Sequence, residues 1–158
     1  MRMRVTANSS QIEAAIMGQL APIRNPNPGT LRQVEDVVRQ GFDGVFARQG
    51  SRRGAWSPLL PTTQRDRMRR GYLPTRPILI RSGSLRNSFV NRGHFYATRR
   101  LSIQPTGWRL YVGSRHPIAG FHNDGTRKMV ARVITDLHED SRRRIESELA
   151  QWAHRQLQ

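Results

Sequence analysis

The chain's five histidines, His94, His116, His122, His138 and His154, are the side chains best suited to chemistry. None falls at the His-x-x-x-His or His-Glu-x-x-His separation that sets two imidazoles on one helix face for a metal. His138-Glu139-Asp140 is dense in ligating atoms. Consecutive helical residues point in different directions, so this triplet reads as a solvated helix start. Ser82-Gly83-Ser84 and Gly113-Ser114 lack the flanks of a nucleophile elbow, and no Gly-x-x-x-x-Gly-Lys phosphate loop is present. His122-Asn123-Asp124-Gly125 reads as a tight turn, because Asn, Asp and Gly all tolerate positive φ. The carboxylates are scattered, whereas a nuclease needs them clustered around divalent metal. The expectation is therefore no catalytic, cofactor-binding or metal-binding residues, no cofactor and no enzyme.

Charge is the outlying property. Lys+Arg is 27 against Asp+Glu 11, a formal net charge of +16, and Lys128 is the only lysine. Guanidinium suits bidentate contact with phosphate or carboxylate, and so much uncompensated charge implies a polyanionic neighbour. Trp56, Trp108 and Trp152 could stack on bases. Trp108 and Trp152 fall on inward stripes and suit a core. Trp56 stands among arginines and is open between stacking and anchoring a loop. There is no cysteine, which excludes disulfides and thiolate ligands. No apolar run is long enough to span a membrane, and no apolar region follows Met1 to Ala7 to make a secretory leader.

The elements that must position these residues follow from periodicity. Ile12, Ile16 and Leu20 predict a short helix over 9–20, before Pro22, Pro26 and Pro28 break the chain. A stronger helix follows, with Thr30 and Gln33 as a capping box. Leu31, Val34, Val38, Phe42 and Val45 form its apolar stripe, with Arg32, Glu35, Arg39 and Asp43 opposite. Residues 50–77 hold Arg52, Arg53, Arg65, Arg67, Arg69, Arg70 and Arg76, interrupted by Pro58, Pro61, Pro74 and Pro77. They read as an extended Arg-rich loop. Ile78-Leu79-Ile80 reads as a short strand, with a turn at Ser82-Gly83-Ser84 and extended chain over Leu85 to Phe89. Leu101 and Ile103 alternate against Trp108, Leu110 and Val112 across Pro105-Thr106-Gly107, which is a hairpin pattern. Residues 117–127 read as a loop or one helical turn. A long C-terminal helix runs from about Asp136 to Leu157, with Leu137, Ile145, Leu149, Trp152 and Ala153 inward. The sum is one α+β domain over 1–158: an antiparallel sheet flanked by an N-terminal helix pair and a C-terminal helix.

An ordered set of motifs runs through this pattern. Trp56-Ser57-Pro58-Leu59 is followed by Ile78-Leu79-Ile80-Arg81-Ser82-Gly83-Ser84-Leu85-Arg86-Asn87-Ser88. Val112-Gly113-Ser114, Ile118-Ala119-Gly120-Phe121-His122-Asn123-Asp124-Gly125 and Ala131-Arg132 come after the hairpin. In this order, over about residues 30–155, the chain resembles the phage virion morphogenesis family, also called the tail completion family, of P2-like and Mu-like phages. More loosely it is similar to neck and tail-completion proteins of long-tailed phages. It departs in having Ile118-Ala119 where the family often has Tyr-Ala, and Val133 where an aromatic often follows the Ala-Arg pair.

The resemblance implies a structural virion protein that completes the tail or joins it to the head as part of a neck ring. It implies six copies or a multiple of six, located in the virion neck or head-proximal tail and in the host cytoplasm during assembly. The implied neighbours are portal or connector, neck, tail-terminator and tube proteins. Trp56, Leu59, Gly83, Leu85, His122, Gly125 and Arg132 are then structural motif residues, and the arginines of 50–77 contact neighbouring subunits or, without reading sequence, genomic DNA in the channel. The alternative is a small basic nucleic-acid-binding protein, a packaging factor or repressor.

Overall fold

The computed structural model describes residues 26–75, 77–104 and 107–157. The expected helix over 9–20, Arg76 and turn residues 105–106 lie outside them. The fold is α+β, with helices α1 (Pro28–Arg48), α2 (Pro61–Arg69), α3 (Ser84–Val90), α4 (Ala119–Asp124) and α5 (Glu139–Gln156). Its strands are β1 (Gly50–Ser51), β2 (Gly54–Ala55), β3 (Ala97–Gln104) and β4 (Gly107–Ser114). They form two separate antiparallel ladders, β1–β2 and β3–β4, where one sheet was expected.

Helix α1 starts at Asn27, whose side-chain oxygen accepts the Thr30 N–H at 2.9 Å, with Pro28 at the first helical position. The expected Thr30 cap is corrected by this geometry: Pro28 brings a preset φ and no orphan N–H, which moves the start three residues upstream. Leu31, Val34, Phe42 and Val45 are buried, as the apolar spacing requires, Val38 is half-buried against the core, and Val37 and Phe46, outside the expected stripe, are buried too. Glu35 and Arg39 are buried as well, at 1% and 4% exposure, against the expectation that they face solvent. The inward arc of α1 is wider than its apolar stripe, because α3 and β3 cover its flank.

The extended loop expected over 50–77 is not what forms. Gly50 pairs with Ala55 and Ser51 with Gly54 in a minimal hairpin, and α2 follows with Pro61 at its first turn. Proline ends a helix from within but starts one well, since its missing N–H falls among donors that have no helical partner. The strand expected at Ile78-Leu79-Ile80 is a turn instead. Ile78 is buried and donates its N–H to the Gln49 side-chain oxygen, so a side chain takes the place of a ladder partner, and Leu79 adopts φ 61. The extended chain expected over Leu85 to Phe89 is helical. Gly83, at φ 79, turns into α3, and Leu85, Ser88 and Phe89 are buried at helical spacing.

The expected hairpin forms, with Leu101 opposite Leu110, Ile103 opposite Trp108 and Arg99 opposite Val112, but Gly107, expected in the turn, pairs with Gln104 and opens β4. Helix α5 begins at Glu139 rather than Asp136, because Asp136 turns back to meet Arg52 and Arg53. The core joins α1 to Trp56, Ile78, Leu85, Phe89, Ala119, Ile134 and Leu137. Trp152 of α5 meets Trp108 of β4 edge-on, with ring centroids 6.0 Å apart.

Candidate functional site

Most of the chain's acids are committed to holding the fold, and this decides where positive charge remains. Glu35 is the hub. Its carboxylate lies 2.8 Å from Arg39 Nε, 3.4 Å from Arg92 Nε and 3.2 Å from Arg99 Nε. Arg39 also donates to the Phe89 carbonyl at 2.7 Å and to the Thr98 carbonyl at 3.4 Å, tying α1 to the end of α3 and to β3. A buried carboxylate is tolerated only with this kind of compensation. Asp43 takes Arg86, and Asp36 takes Arg92. Asp140 takes Arg48, whose hydrogen bond holds the Asp140 carboxyl at about 2.

The arginines expected to contact DNA or neighbours are mostly engaged within the chain. Arg52 and Arg53 both reach Asp136 at 3.3 Å. Arg70 pairs with Asp66 at 3.0 Å, with Arg69 at 3.9 Å from the same carboxylate. Arg67 is buried and donates to the Pro77 carbonyl at 3.0 Å, which corrects its assignment as a surface contact. It is the one side chain of α2 that turns inward. Arg65 remains exposed with no ion pair among the described residues.

Sequence reasoning passed over Arg100, Arg109 and Tyr111. Cross-strand partners share a face, so Arg100 stands beside Tyr111 and Arg109 beside Ser102, with Thr98 opposite Gly113. The reverse face carries Arg99 to Glu35, Trp108 to Trp152, and Val112 against the core. Arg100 and Arg109 are exposed, and Tyr111 is 53% exposed. The available signal was the absence of any Asp or Glu between Asp66 and Asp124.

The motif residues form a second structural unit. Trp56 is buried and donates its indole N–H to the Val133 carbonyl at 3.1 Å, which assigns it to anchoring. Leu59 packs against the core and Leu85 lies within it. Arg132, also buried, donates to the carbonyls of Ser57 and Pro58, both at 3.1 Å, while its own N–H bonds the His122 carbonyl. Asn123 Oδ1 accepts from the N–H groups of Ile134 and Thr135 and from the Thr135 hydroxyl. Gly125 has φ 78 and ψ −179, and a Cβ there would lie 2.9 Å from the Ala131 nitrogen. The expected tight turn is thus the end of α4, with Gly125 as its closing residue.

His122 and Arg67 line a cleft of 280 Å³ with Leu59, Leu85, His116 and Ile118. Burial, then the Arg132 and His116 charges, push the His122 imidazole below its ordinary value. His116 Nε2 sits 3.2 Å from the Ser84 hydroxyl. Among the described residues no group of His, Asp or Glu is placed to hold a metal ion, and no helix is long and apolar enough to cross a membrane. No family model, no curated protein and no solved structure matches the chain significantly.

Proposed function

We propose that this chain is a structural component of a tailed-bacteriophage particle, seated in the neck or at the head-proximal end of the tail, where copies assemble into a ring of six or a multiple of six. The supporting observation is how the motif segments divide their apolar residues. Leu59, Ala119 and Ile134 turn into or against the core, while Leu60, Ile118, Phe121 and Val130 stand 62%, 42%, 57% and 63% exposed. Large apolar side chains left exposed on segments that Arg132 ties together support a surface that other subunits cover. The ordered motif set supplies the identity of the assembly. Joining through apolar patches and guanidinium groups needs no cofactor, and the role assigned to the motif residues is to hold the segments that carry those patches.

Quantitative mass spectrometry of purified tailed particles from the virus carrying this gene tests the reading. The expected result is the chain in every particle at a fixed ratio to the portal protein. Its absence from tailed particles, with abundance only in the cell lysate, overturns it.

A further inference from the structure

We propose that the outward face of the β3–β4 ribbon, carrying Arg100, Arg109 and Tyr111, is a contact surface for the phosphate backbone of duplex DNA. The face is defined by register, with Arg100 beside Tyr111 and Arg109 beside Ser102. Its reverse is held against the body at Arg99, Trp108 and Val112, with Leu101 and Ile103 of that reverse exposed toward the tip. The outward face offers two guanidinium groups and the hydroxyls of Thr98, Ser102 and Tyr111, which are the donor types that recur on phosphate oxygens.

Charge accounting separates this face from α5 and from the paired arginines of 50–77, while Arg65 and Arg127 are exposed outside the ribbon. Helix α5 interleaves Arg142, Arg143, Arg144 and Arg155 with Glu139, Glu146 and Glu148, which offset most of its charge. Arg52 and Arg53 share Asp136, and Arg70 holds Asp66. Neither the Arg100 nor the Arg109 guanidinium has an ion pair or hydrogen bond among the described residues, and their strands contain no carboxylate to repel a polyanion. Each is therefore free to release counterions from a phosphate. The two guanidinium groups and three hydroxyls can all donate to phosphate oxygens, and the contact proposed is with the backbone, independent of base sequence. This inference does not depend on the neck assignment, because binding by the isolated chain is measured without a particle.

The test is fluorescence anisotropy of the full chain with a labelled duplex of arbitrary sequence, titrated across salt concentration. The paired variant Arg100→Gln/Arg109→Gln is compared with Arg142→Gln/Arg144→Gln, which removes equal charge from exposed positions on α5. The ribbon pair is expected to weaken binding and to reduce the slope of log K against log salt by about 2, at about 0.9 per phosphate contact. The α5 pair should leave that slope near the parent value, and Arg100→Lys/Arg109→Lys should retain it, which excludes misfolding as the cause. Equal losses from the two Gln pairs would reduce the effect to net charge and overturn the proposal. So would an unchanged slope in the ribbon pair, no duplex binding by the parent chain, or tighter binding to an acidic peptide or single strand than to duplex.

Discussion

Glu35 and Arg39 stand one turn apart on α1 with their charged ends 2.8 Å apart and only 1% and 4% exposed. Removing one partner of a buried pair leaves the other charge out of water without its counter-charge. Glu35→Ala is therefore expected to cost about 3–5 kcal/mol, and it strands Arg39 while releasing Arg92 and Arg99. The double variant Glu35→Leu/Arg39→Leu removes both charges, so it should cost less than the sum of Glu35→Leu and Arg39→Leu made singly. Urea unfolding of the three variants checks this; additive losses would contradict a coupled buried pair.

Gly125 is held at φ 78 and ψ −179, a combination open almost only to glycine, with the backbone of Met129 and Ala131 against the place a Cβ would occupy. Gly125→Ala is expected to cost at least about 1–3 kcal/mol from backbone strain. The cost should appear as a lowered melting temperature. A melting temperature equal to that of the parent chain would contradict the close approach.

The pH dependence of stability follows from His122. Its imidazole is pushed below the ordinary 6.5 by burial first, then by the Arg132 and His116 charges. Above 6.5 the folded and unfolded states are both neutral there. As pH falls below 6.5, the unfolded chain takes up the proton before the folded chain does, so stability declines toward acid. Burial lowers His116 in the same sense. Urea midpoints at about pH 7.5 and about pH 5.5 should show this loss, and His122→Gln should reduce it without abolishing it. An equal drop in parent and variant would remove His122 from the account.

The sequence was legible where one periodicity ran long enough to exclude the other. The α1 stripe, the β3–β4 alternation and the inward Trp152 all follow from spacing alone. It misled where runs were short or where charge went inside. Over Leu85 to Phe89 a stretch of so few residues fits extended chain or helix, and the buried triplet Leu85, Ser88 and Phe89 resolves to the helical spacing. Ile78 looks like part of a strand because it is apolar, yet its N–H is satisfied by Gln49, a partner twenty-nine residues away that periodicity does not register. Glu35 and Arg39 read as solvent-facing, since only the approach of Phe89 and Thr98 makes their burial affordable. The pairing of the basic residues was not legible for a similar reason. Residue counting finds arginines in 50–77, whereas pairing with Asp66 and Asp136 in the folded chain decides which remain uncompensated.

The central claim is that this chain is a ring-forming part of a phage neck or head-proximal tail. The most direct measurement is a cryo-electron microscopy reconstruction of the neck in the particle that carries this gene. The account predicts density for this α+β fold next to the portal-proximal end of the tail, in six copies or a multiple of six. In it, Leu60, Phe121 and Val130 are covered by neighbouring subunits. A neck whose density is fully explained by other proteins, or a ring of fivefold symmetry built from this chain, would contradict it.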